Sequence, residues 1–346
     1  MVYDRIPKPP DVPEGWDVRF AQPEDEDGIL RVLSEAFPRW PKLEGFVPSI
    51  EHLRWKMASH KRVERFHMVV TSPEGIVGTR LLWAFEAQVG DNVYLVREAV
   101  DGAVKPAFQR NYAMSALRMF GREALDLNFD MHLGYGSDAP GMRKMRKYRV
   151  PESESTHYQR SLDVLVCDLE SASRRLDGAE GYEIRPVEVF DERVDDLWSR
   201  ARSHFLFGVV RSSTYLNWRY ADPRAGDYQI LAAQEGKQWL GYLVLRASEK
   251  TGYIVDLLAL PNRMDAVESL LSAALDRFRA VGQRNVECWS ETHSVYRWAL
   301  DNAGFRQPRR SIGLTFRPLS FPAQDAAFLG DPTASILFTA GDTDLV

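Results

Sequence analysis

Hydrophobic positions along this 346-residue chain change their period repeatedly, and the changes come in the same order twice. Alternating or continuous apolar runs predict strands at 16–21, 66–72, 76–88, 92–104, 130–135 and 158–169. Periods near 3.6 predict helices at 24–36, 49–60, 112–127 and 140–147. The second half follows suit, with strands predicted at 182–187, 228–234, 239–248, 252–260, 285–290 and 311–317 and helices at 191–203, 213–220, 265–281 and 293–303. Val267, Leu270, Leu271, Ala274 and Phe278 share one face of the long helix there, as in a helix packed on a sheet.

Individual residues repeat as well. Val18-Arg19 returns as Ile184-Arg185; Leu53, Trp55 and Lys56 return 163 positions later as Leu216, Trp218 and Arg219; Gly78 returns at the same offset as Gly241. A repeat this long exceeds a solenoid unit, so each copy is expected to carry its own core. Antiparallel strands followed by a strand-helix-strand crossover predict an α/β (α+β mixed) fold, two tandem units each built on a mostly antiparallel twisted sheet flanked by helices. The expected units are 1–170 and 171–320, joined by the linker SASRRLDGAEG, with an extension at 321–346. The strand at 158–169 is expected to finish the first unit's sheet. The tail from Pro318 to Val346 has no counterpart in the first half and reads as an ordered extension or strand.

Composition narrows the function class. A net charge of -5 and a pI near 5.9 disfavour a general polyanion binder. Cys167 and Cys288 are the two cysteines, without CxxC spacing, and the histidines show no HxxxH or HxH pattern, so neither a disulfide framework nor a metal site is expected. No signal-like leader or long apolar span is present, which makes a soluble cytoplasmic protein the expectation.

The segment from Val104 through Lys105, Pro106, Gln109, Arg110, Asn111, Tyr112, Ala113 and Met114 lies between a predicted strand and an amphipathic helix, where backbone N–H groups and the helix dipole face an anion. The order of elements, the Val-x-Pro-x-x-Gln opening and Gly304-Phe305 near the end resemble the GNAT family of acyl-CoA-dependent N-acyltransferases in tandem form. The resemblance covers nearly the whole chain in architecture. It implies that residues 109–114 hold the pyrophosphate of coenzyme A and that the preceding strand, at Val104, holds the pantetheine arm. Gln109 fits the family's opening position, whereas Tyr112 and Met114 stand where glycines are expected, and a Cβ limits how closely backbone approaches phosphate. The second half's loop, Leu260 to Asp265, lacks the pattern and puts Asp265 at the helix N-cap, so that half is expected to be degenerate.

Acyl transfer to an amine needs a base, donors for the thioester carbonyl and an acid for the departing thiolate. Glu98, 11 residues before Gln109 and flanked by Val96 and Val100, is the candidate base, its carboxyl expected to be raised by apolar surroundings. The alternative is a surface carboxylate paired with Arg97. Tyr135 is the candidate acid, against a core or rim role. The basic run Arg143 to Lys147 reads as a solvated face. Trp198, Trp218, Trp239, Trp289, Tyr296 and Trp298 read as core and inter-domain packing, against walls of a ring-bearing acceptor site, and His293 and Asp256 as structural. The expected activity is acyl-CoA-dependent transfer, acetyl foremost, to a small amine; alternatives are an aminoacyl-tRNA-dependent transferase resembling the Fem family, or a GNAT-fold ligand-binding protein without turnover.

Overall fold

The computed structural model describes residues 12–41, 47–59, 63–109, 112–137, 157–171, 183–306 and 310–344. Its elements run β1 (Asp17–Phe20), α1 (Glu26–Ala36), α2 (Ser49–Met57), β2 (Met68–Ser72), β3 (Gly75–Val89), β4 (Asn92–Val104), α3 (Ala113–Leu125), β5 (Met131–Ser137) and β6 (Tyr158–Asp168). There follow β7 (Glu183–Val187), α4 (Glu192–Ala201), β8 (Phe207–Val209), α5 (Ser213–Leu216), β9 (Gln229–Glu235), β10 (Gln238–Ala247), β11 (Thr251–Ala259), α6 (Met264–Ala280), β12 (Asn285–Ser290), α7 (Arg297–Asn302), β13 (Ser311–Pro318) and β14 (Ile336–Leu337). The predicted helix at 140–147 and the basic run on it lie outside the described residues. The predicted helix 213–220 divides into α5 and a wider turn over Asn217–Ala221, and the last helix is shorter than 293–303. No helix among the described residues is long and apolar enough to cross a membrane.

The strands form one mixed sheet, in the order β1-β2-β3-β4-β5-β13-β6-β12-β11-β10-β9-β7. This corrects the expectation for residues 158–169. β6 does not pair with β5: β13 lies between them, antiparallel to both (Gly313 faces Gly136 and Ser161), and β6 runs on to pair with β12. The last strand of each half therefore sits in the other half's part of the sheet. Apolar residues on both faces of β6 explain why it suits the centre of a wide sheet: Leu162 and Val164 join one core cluster, Leu165 and Cys167 another.

The repeated residues meet their partners. Trp55 and Trp218 stack with ring centroids 5.0 Å apart; Trp55 Nε1 donates to the Trp218 carbonyl at 2.7 Å and Trp218 Nε1 to the Trp55 carbonyl at 3.3 Å. Such reciprocal exchange is what a two-fold relation between like surfaces produces. Gly78 and Gly241 each face a neighbouring strand so closely that a Cβ would come within 2.7 Å of Val70 Cγ1 or 2.6 Å of Ala259 Cβ.

Candidate functional site

β4 and β5 are parallel neighbours only from Val96–Met131 to Glu98–Leu133, after which β4 continues to Val104 and β5 to Ser137 without pairing. The strands splay apart, and a cavity of about 1050 Å³ occupies the gap. On the side of α1 and α2 it is walled by Trp40, His52, Trp55, Trp83, Tyr228 and Trp289, and it is edged by Lys56, Asp101, Tyr135, Arg246 and Asp344. On the side of α3 the wall is Arg80, Gly102, His132, Gly134 and Gly136. Trp289, packed in the core as the sequence reading had it, also lines the cavity, and Trp218 reaches the site through its stack on Trp55.

The neck of the opening is built from charge. Lys56 Nζ lies 2.5 Å from Asp101 and 3.2 Å from Asp344. Burial opposes its charge, but the two carboxylates outweigh burial and hold the ammonium above its usual value. Asp101 adopts a left-handed backbone (φ 45°), uncommon for a non-glycine residue. It sits where Asp101 and Gly102 together face Arg80, a bulge between Thr79–Ala103 and Leu81–Val100 that bends β4 away from the ladder. Burial raises the Asp101 carboxyl.

Tyr135 lines the cavity, and its hydroxyl donates to Asp344 Oδ1 while accepting the Asp344 backbone N–H at 3.1 Å. Burial and the nearby carboxylate of Asp344 push the phenol well above its ordinary value, so it is protonated at neutral pH. Asp344 was invisible to sequence reasoning, lying 209 residues from Tyr135 in a tail with no local motif.

Glu98 is not a surface carboxylate: it is 1% exposed, with Val96 and Val100 buried beside it, while Arg97 points to the opposite face and pairs with Asp126. Nor does Glu98 line the cavity; it lies behind the wall, and neither of its oxygens has a hydrogen-bond partner among the described residues. Burial, reinforced by Asp344, drives its pKa well above the usual carboxylate range. A native state that holds this proton more tightly than the unfolded chain loses stability as pH rises above the unfolded carboxyl's value. Glu98→Gln should therefore raise the melting temperature at pH 7 to 8, with the gain fading toward pH 4; melting curves across that range check it, and an equal loss at every pH would refute a neutral Glu98.

The loop predicted to hold phosphate follows directly from the splayed end of β4. Val104 is buried and faces Gly78, Gln109 Nε2 turns back to donate to the Val104 carbonyl at 3.4 Å, and Arg110 and Asn111 lie outside the described residues. Tyr112 points outward, 64% exposed, so its side chain does not fill the space before the helix. Ala113 is core, and Met114 lies 4.0 Å from the position of a Cβ on Gly102. None of these described loop residues is part of the cavity wall. The first turn of α3 carries no acidic residue and no side-chain cap. In α6 the cap position is Arg263 rather than Asp265, and Asp265, in the first turn, pairs with Arg263 at 3.0 Å.

A matching divergence opens between β11 and β12 beyond Ile254–Cys288, but only about 30 Å³ remains there, walled in part by Ile336, Leu337, Phe338 and Thr339 of the tail. β14 pairs with β8, which pairs with β3, so the extension becomes part of the sheet. Asp256 is structural: it is fully buried and ion-paired to Arg211 at 3.1 Å, and it accepts from Tyr242 Oη at 2.9 Å. His293 is exposed.

No family model and no curated protein matches the chain. Solved structures of similar fold do. A GCN5-related N-acetyltransferase from Anabaena variabilis aligns with TM-score 0.63 and 12% identity over 88% of this chain and 73% of its own. One from Kribbella flavida aligns at 0.61 and 14%, over 89% and 73%. Saccharomyces cerevisiae N-myristoyltransferase, solved with myristoyl-CoA bound, aligns at 0.60 and 9%, over 90% and 84%. The fold is thus the GNAT-like mixed α/β fold that the sequence resemblance implied.

Proposed function

We propose that the chain is an acyl-CoA-dependent N-acyltransferase built of two GNAT-like units, in which the first unit's cleft does the chemistry and the second unit supplies Arg219, Tyr228, Arg246, Trp289 and the tail. One observation carries this reading: the splay of β4 from β5 opens into a cavity large enough for a drug-sized ligand, with the Tyr135–Asp344 pair at its neck. The acyl-CoA-bound state of the yeast protein of similar fold supports an acyl-CoA as co-substrate. The other cleft, filled by Ile336 to Thr339, has no room for one.

In this reading Asp344, lining the cavity, takes one proton from the acceptor ammonium so that the free amine attacks the thioester carbonyl, and the second proton leaves the nitrogen to solvent as the tetrahedral intermediate collapses to the amide. Tyr135 gives its proton to the departing thiolate. Its existing hydrogen bond to Asp344 then returns the proton from the carboxylic acid to the tyrosinate, which restores both groups. Lys56 pairs with Asp344 at 3.2 Å and so holds the carboxylate in place between turnovers. Glu98, which the sequence suggested as base, becomes a neutral positioning group behind Asp344. The acceptor is a small amine, matched to aromatic walls and to the carboxylates of the neck.

Binding tests the donor assignment. Calorimetry should show one coenzyme A per chain, and Gln109→Glu, which places negative charge between β4 and the first turn of α3, should weaken it by at least 10-fold, while Asp265→Ala leaves it unchanged. Unchanged affinity in Gln109→Glu, or loss on altering Asp265, would refute the assignment.

A further inference from the structure

Beneath α3 the cavity wall carries a group that the proposed transfer leaves unused. Arg80 on β3 has no hydrogen-bond or ion-pair partner among the described residues, yet it lines the cavity and is half-buried. Its neighbours do not balance it. Arg97 and Arg317 share the single carboxylate of Asp126 at 2.7 and 2.6 Å, and Arg118 lies close enough to act on Arg80 as a like charge. Burial, then Arg97 and Arg118, pull Arg80 down to about 9, which leaves it charged at neutral pH.

His132 adds a second donor. Arg97 Nη1 lies 3.2 Å from His132 Nδ1, and because a guanidinium can only donate, Nδ1 accepts and the ring proton belongs on Nε2. Burial and the surrounding arginines hold this imidazole well below its usual pKa, hence neutral, with Nε2–H beside Gly134 in the cavity wall. Among the described residues the buried guanidiniums of Arg97 and Arg317, the half-buried Arg80 and one imidazole N–H surround the one carboxylate of Asp126, a set of donors short of an anion.

Resting on the acyl-CoA reading, we infer that Arg80 and His132 read a carboxylate at the far end of the acyl group, so that the donor class is the coenzyme A half-thioester of a short dicarboxylic acid. Position separates this anion from the phosphates of coenzyme A. Arg80 Nη1 is 3.2 Å from where a Cβ on Gly121 would stand, and Gly121 lies eight residues, about 12 Å, along α3 from the first turn proposed for the pyrophosphate. A glycine there leaves the guanidinium the room it occupies.

Calorimetry with succinyl-CoA, butyryl-CoA and free coenzyme A tests this. The wild-type chain should bind succinyl-CoA roughly 10- to 100-fold more tightly than butyryl-CoA, the range for a hydrogen-bonded charge pair. In Arg80→Met that ratio should collapse to within about 3-fold through lost succinyl-CoA affinity, and Arg80→Lys should restore part of it. Melting curves confirm that each variant is folded. A wild-type chain that binds coenzyme A but does not prefer succinyl-CoA overturns the inference, as does an Arg80→Met chain that loses free coenzyme A in equal measure, which would make Arg80 a phosphate contact. A chain that binds none of the three sinks the acyl-CoA reading and the inference with it.

Discussion

Replacing Asp344 by asparagine should lower kcat/KM for acyl transfer by roughly 10²- to 10⁴-fold, the usual contribution of a positioned base. The amide keeps an acceptor for the Tyr135 hydroxyl and a similar volume, so the fold and coenzyme A affinity should persist. What it cannot do is take a proton. Residual activity, followed as thiol release with an accepted amine, should rise with pH toward the range where the amine is already deprotonated. Tyr135→Phe should also be slow, and because the two side chains pass one proton between them, the double variant should be little worse than the slower single one. A wild-type pH profile in Asp344→Asn would assign the proton transfer elsewhere, with Glu98 behind the wall as the next group to test.

Arg211→Met should cost about 3–5 kcal/mol of stability, the largest single loss expected in the chain. Arg211, Asp256 and Asp342 are all fully buried, and the guanidinium lies 3.1 Å from Asp256 and 2.7 Å from Asp342. Methionine keeps the apolar stem but removes the guanidinium, and so strands two carboxylates in the core. Burial already raises Asp342, so this acid, once unpaired, is best tolerated protonated, and the destabilisation should shrink as pH falls from 8 to 5. Asp342→Asn in the Arg211→Met background should recover part of the loss. Because Asp342 anchors the tail just before Asp344, Arg211→Met should also abolish activity and expose the tail to limited proteolysis. Denaturant midpoints within about 0.5 kcal/mol of wild type would show that the ion cluster does not hold the tail.

Element types were legible because period reports a residue's neighbours within a turn or a pleat. The apolar face of α6, the β3–β4 hairpin and the loop before α3 all follow from local pattern, and so does the repeat that pairs Trp55 with Trp218. Glu98 could be placed on a strand between valines, which correctly implied a raised pKa. Whether it faced the cavity could not be read, because alternation tells two faces apart without saying what covers each. For the same reason the sequence could not decide between packing and pocket wall for Trp289, which does both.

Sequence by itself determined the inventory: strands and helices in twice-repeated order, a strand-loop-helix unit at 104–114 without a carboxylate at the helix start, and the repeated Leu-x-Trp-Lys/Arg positions. The tertiary structure decided the pairing. β6 and β13 read as ordinary closing strands, and nothing in a strand's alternation names its partner; only the meeting of both halves in one sheet exchanged them. The run Ile336 to Phe338 is too short to announce a role, yet by packing between β11 and β12 it closes one cleft. By running on, it carries Asp344 to Tyr135 in the other. Local pattern is set by contacts a few residues apart, whereas this site depends on contacts across 209 and 288 residues, Asp344 with Tyr135 and with Lys56, which exist only once the chain has folded.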